Sequence, residues 1–126
     1  MRRVELIGPR DQVFAVEVPE TRAERAHGLL GRDGLDPGTG MLFERASSVH
    51  TIRMRFPITV ACLTAADAEG RRVVRRVEVL RPGRMTRPRR GVRAVLELPA
   101  GSDVRVGDAI LCRLSSAGSG PRAPIV

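Results

Sequence analysis

The 126-residue chain has no tryptophan, no tyrosine and no lysine, and only three phenylalanines, two histidines and two cysteines. With Phe14, Phe43 and Phe56 the only aromatics, the core has to be built from Val, Leu, Ile and Ala. Cys62 and Cys112 stand far apart, which excludes a C-x-x-C metal or redox pair. Each lies in an apolar, strand-like context (TVACL and AILCRL), where a free thiol behaves as a small hydrophobe. His27 and His50 are too few and too separate for a recognisable zinc site, so no metal and no cofactor is expected. The opening residues, MRRVELIGPRD, hold no apolar run long enough for a secretory signal. No later stretch could span a bilayer, so a cytoplasmic location is expected.

What is present is arginine. The net charge of +8 comes from 22 arginines against 14 acids, and its distribution says more than its size. Between Arg71 and Arg93 lie ten arginines and a single acid, Glu78, a surplus of nine; the remaining twelve arginines face thirteen acids. A coding bias toward arginine would raise it everywhere, but would not strip one segment of acids. A local positive patch is expected.

The length suits one domain with a modest core, assigned here to residues 1–114, with residues 115–126 (SSAGSGPRAPIV) expected to be a disordered tail. Alternating or continuous apolar runs place strands at Val4–Ile7, Val13–Val18, Met41–Phe43, Ile58–Leu63, Val73–Leu80, Val95–Leu98 and Ile110–Leu114, with a further short one over Thr51–Met54. Pro37-Gly38 suits the centre of a type II turn, and Asp67–Gly70 a hairpin. Thr21 and Glu24 form a T-x-x-E capping box, from which a helix is expected to run to Gly31 with Ala23, Ala26 and Leu30 along one face. The fold class is α+β and β-rich: a small barrel-like or sandwich-like antiparallel sheet with one prominent N-terminal helix.

The run TRAERAHGLLGR (Thr21 to Arg32), GMLF from Gly40, HTIRMRFPI from His50, a D-x-x-G hairpin, VLELPAG from Val95 and VGD from Val106 follow one another in an order and spacing that resembles domain-of-unknown-function family 192. The resemblance covers nearly the whole domain. It implies a β-rich domain with one helix and no assigned activity. Positions matching the family's recurrent motifs include Thr21, Glu24, Arg25, Gly28, Arg32, Gly40, Met41, His50, Thr51, Met54, Arg55, Pro57 and Glu97. Relatives often carry an aspartate where this chain has Thr59, so no acid/base scheme can be built on that position here.

The stretch SSVHTIRMRFPITVACL is the leading candidate site. As an extended strand it would turn His50, Ile52 and Met54 to one side and Thr51, Arg53 and Arg55 to the other. That second row suits a carboxylate or phosphate, because guanidinium groups supply forked donors. A structural alternative pairs Arg53 and Arg55 with Glu97, Glu44 or Glu24, and leaves His50 as a hydrogen-bonded turn residue. Gly38-Thr39-Gly40 lacks the G-K-[ST] ending of a phosphate loop.

Three functional classes follow. The favoured one is a small non-enzymatic binding or accessory domain. It would use His50, Thr51, Arg53 and Arg55 together with the loop arginines Arg84, Arg87, Arg89 and Arg90 to contact an acidic protein or a small anionic ligand. The second is an enzyme with His50 as general base and Arg53 and Arg55 orienting an anionic substrate. No serine or cysteine nucleophile motif supports it. The third is nonspecific nucleic-acid binding through the arginine-rich loop, against which stands the lack of any aromatic in that segment.

Overall fold

The computed structural model describes residues 1–114; the expected C-terminal tail lies outside the described residues. Seven strands close into a barrel in the order β1-β2-β3-β6-β4-β5-β7, with β7 returning to β1. They are β1 (Arg2–Ile7), β2 (Val13–Val18), β3 (Thr39–Glu44), β4 (Ile58–Leu63), β5 (Arg71–Leu80), β6 (Ala94–Pro99) and β7 (Ala109–Leu114), with one helix, α1 (Arg22–His27), between β2 and β3. The expected turns are present. Thr39 N–H donates to the Asp36 carbonyl across Pro37-Gly38, with Gly38 at φ 75°. The Asp67 carboxylate accepts from the Glu69 and Arg71 amides.

Two expectations need correction. The sheet is not wholly antiparallel, because β2 and β3 run parallel. A parallel pair needs a crossover, and here the crossover holds α1. Nor is the helix prominent: α1 has six residues. The Thr21–Glu24 capping box forms as expected, but Gly28 already leaves the helical region at φ 49°. Glycine suits this position twice over, because its φ is positive and a Cβ there would come within 3.3 Å of Phe43 Cζ. Ala23 and Ala26 are therefore exposed, and the chain is anchored by buried Leu29 just beyond the helix.

Two apolar clusters position everything else. One fills the barrel, with Leu6, Val16, Leu42, Leu63, Leu96 and Ile110 among its fully buried members. The other covers the outer face of β3, β6 and β4, where Met41, Val95, Ile58, Val60 and Cys62 pack under Leu29, Met54 and Phe56. β4 is consequently buried on both faces along its whole length, which is why ITVACL shows a continuous apolar run instead of alternation. Cys62 and Cys112 are free thiols, and burial pushes both above the ordinary thiol range. Among the described residues no helix is long and apolar enough to cross a membrane.

Candidate functional site

Thr51–Met54 is a turn and not a strand, which corrects the reading of the leading candidate segment. Met54 N–H donates to the Thr51 carbonyl at 3.1 Å, and Arg53 sits at φ 70° in the left-handed region. The two-sided alternation therefore fails. Thr51 and Met54 point inward and are buried, while His50, Ile52, Arg53 and Arg55 are exposed.

Thr51 is the latch of this junction. Its hydroxyl donates to the Arg81 carbonyl at 2.6 Å and accepts from the Arg84 amide at 2.8 Å. Its own amide donates to the Arg84 carbonyl at 2.8 Å, and its carbonyl accepts from Gly83 at 2.9 Å. Fully buried, it cannot itself touch a ligand. The same latch brings the candidate turn against the arginine loop, two segments the sequence separates by some thirty positions. His50 bridges to Met85, and exposed Ile52 and Met85 lie beside Arg53 and Arg84.

The expected ion pairs also fall differently. Arg55 reaches Asp33 at 2.9 Å, Glu44 is taken by Arg2, and Glu24 is taken by the capping box and the N-terminal ammonium. Arg25 donates to the carbonyls of Glu44 and Arg45, and Arg32 pairs with Glu17 at 2.8 Å. Of the ten arginines from Arg71 to Arg93, only Arg71 and Arg76 reach a carboxylate among the described residues.

Those ten do not form one patch. Arg71 and Arg72 sit at the β7 end of β5. A bulge in β5 shapes the rest: Cys62 of β4 faces Arg76 and Leu63 faces Val74, leaving Arg75 as the extra residue. With Val74 buried and Val77 against the core, the bulge turns Arg75 and Arg76 outward together. Arg89 and Arg90 meet them there around a cleft of about 460 Å³. The Arg76 Nε is buried without a partner, although its terminal nitrogen bonds Glu78 at 2.9 Å.

A second cavity, about 370 Å³, opens between α1 and the segment 46–54. Leu29, Phe43, Val49 and Met54 line it, and both histidines and Arg22 and Arg25 contribute to its walls. Arg53 and Arg55 are not among its lining residues, so the arginines beside His50 here are those of α1. Glu97 also lines it. On β6, Ala94, Leu96 and Leu98 point into the barrel, which turns Glu97 onto the covered outer face. It is 4 % exposed, and burial alone pushes its carboxyl up to about 7. Asp108, the other buried carboxylate, shows how this fold satisfies an acid: two Arg10 bonds at 2.9 and 2.7 Å and one from the Arg105 amide at 2.9 Å. Glu97 has no such partner among the described residues. Gly40 lets β3 approach β6 closely, because a Cβ there would collide with the Glu97 carbonyl.

Comparison with known proteins accords with this geometry. The family model DUF192, described as an uncharacterized ACR, matches residues 5–111. The chain belongs to the DUF192 family. No curated protein matches it. A solved Sinorhizobium meliloti 1021 structure, provisionally described as a transcription regulator, is 26% identical with a TM-score of 0.70, covering 87% of this chain and 92% of its own. A protein of unknown function from Novosphingobium aromaticivorans DSM 12444 is 23% identical with a TM-score of 0.65, covering 86% and 82%; it shares the DUF192 fold. Family membership brings no established activity. Sequence reasoning named Glu97 only as a motif position and an ion-pair candidate. The one available signal for its setting was an acid on the second face of an otherwise apolar strand, AVLELP.

Proposed function

We propose that this DUF192 domain is a non-enzymatic binding module that recognises an acidic protein surface through its arginine loop. The contact surface has two parts, the turn region with Arg53, Arg81, Arg84 and Arg87, and the cleft of Arg75, Arg89 and Arg90. One observation carries this reading: Arg75, Arg81, Arg84, Arg87, Arg89 and Arg90 are all exposed and have no carboxylate partner among the described residues. Exposed guanidinium groups gathered without internal partners supply a field that steers an acidic partner. Met85, 70% exposed, and exposed Ile52 provide apolar contact within that field. A small anionic ligand would use the Arg75–Arg90 cleft by the same chemistry.

The second reading, nonspecific nucleic-acid binding, uses the same arginines. It draws support from the provisional description of the Sinorhizobium meliloti relative. Fluorescence anisotropy with a labelled glutamate-rich peptide and a duplex DNA of equal charge separates the two. Peptide binding that weakens with salt, and is lost when Arg75, Arg84, Arg89 and Arg90 are changed to Gln, supports the module. Tighter binding of the duplex transfers the surface to nucleic acid, and no binding of either at low salt removes both readings.

A further inference from the structure

The cavity under α1 has no part in the arginine-surface reading, and it holds a group the fold leaves without a partner. A carboxyl that has no protein partner and lines a cavity is open to a hydrogen-bonding partner in that cavity. Asp108 is buried to nearly the same degree and takes three bonds. Among the described residues Glu97 takes none, and it borders a cavity of about 370 Å³ whose interior is lined by Leu29, Phe43, Val49 and Met54. Concave apolar space with a few convergent polar groups is the usual form of a small-molecule site. We infer that this cavity binds a small amphiphile, with its apolar body between Leu29, Phe43 and Met54, a neutral polar end hydrogen-bonded to Glu97, and an acidic group at the rim.

Charge decides the orientation. The other titratable groups lining the cavity are Arg22, Arg25 and His27 of α1 and His50 of the facing segment; none is an acid. Arg25 is occupied by the Glu44 and Arg45 carbonyls, which leaves Arg22 and the two exposed histidines to receive an anion. An anion carried to the depth would lose its water among Leu29, Phe43 and Met54 and leave the cationic groups of the rim, so the acidic group stays at the mouth. A cationic end would have to pass Arg22 and Arg25 to reach the carboxyl. Held near pH 7 by burial, Glu97 is a neutral acid at pH 6, able to donate its O–H and to accept.

The test uses the full chain labelled with ¹⁵N and three probes: 8-hydroxyoctanoate, octanoate and 8-aminooctanoate, titrated at pH 6 and pH 8. The expected result is amide shifts concentrated at Gly28, Leu29, Phe43, Val49 and His50, with the hydroxy acid binding tightest. Glu97→Leu, which removes the buried acid while keeping bulk, should weaken the hydroxy acid about tenfold and leave octanoate unchanged. Glu97→Gln should retain binding and flatten its decline between pH 6 and 8. Tighter binding of 8-aminooctanoate, equal weakening of all probes by Glu97→Leu, or no shift around the cavity at millimolar concentration would each overturn the inference. The Arg75, Arg84, Arg89 and Arg90 variant should bind the hydroxy acid normally, so failure of the arginine reading stays distinguishable.

Discussion

Two regions of one outer face handle unpaired charge in opposite ways. On β6, Glu97 is buried at the side of the cavity under α1; two strands away on β5, Arg76 lies at the edge of an open cleft with Arg75, Arg89 and Arg90. Val60 and Cys62 of β4 stand between them, buried in the outer cluster. Burial raises the Glu97 carboxyl to about 7, whereas Arg75, Arg89 and Arg90 are exposed and keep their charge. A pH change therefore addresses one region and a salt change the other.

The largest way to break this contrast is to disturb the strand pairing that places Glu97. Gly40→Ala would drive a methyl group into the Glu97 carbonyl across the β3–β6 ladder. It should cost about 3 kcal/mol or more in urea unfolding, as overpacking against backbone does. Next comes pH. The Glu97 carboxyl is raised from its ordinary 4.5 to about 7. The folded state holds that proton more tightly than the unfolded chain, so the stabilisation is complete below pH 4.5 and is lost as pH rises to 7. The loss should be roughly 3 kcal/mol. Glu97→Leu or Glu97→Gln should remove that slope from the pH dependence of urea midpoints.

A middle-sized effect belongs to the latch joining the turn to the arginine loop. Thr51→Val keeps the shape but leaves the Arg84 amide without its hydroxyl acceptor, and should cost about 1–3 kcal/mol. Hydrogen exchange should accelerate at Gly83, Arg84 and Thr86, whose amides bond across this junction. The smallest effect on stability sharpens the other half of the contrast. Arg53→Gly relieves a left-handed φ of 70° and should stabilise by at most about 1 kcal/mol. It should still weaken binding to the glutamate-rich peptide, which assigns the loss to charge and not to unfolding.

Much of the fold was legible in the chain because strands and turns carry local signals. IGPRDQ, DPGT and DAEG mark turns by residue type, and the seven strands follow from apolar runs. The helix falls short of the expected length because the chain already turns at Gly28, with φ 49°, three residues before Gly31. The Thr51–Met54 strand was overread because the turn is held by bonds to residues 81–84, which no local pattern displays. Arg53, Arg55 and Glu97 look like natural partners in sequence, yet Arg55 finds Asp33 and Glu97 finds none among the described residues.

By itself the sequence determined a β-rich domain with aliphatic packing, a capped helix start and an arginine surplus confined to one segment, since composition and short periodicities act over a few residues. Tertiary structure alone decided that the arginines divide between a turn and a cleft, that Thr51 is buried, and that Glu97 sits alone in a cavity. Those outcomes depend on barrel closure and on a one-residue bulge in β5, which set which side chains meet and which are shut away from water.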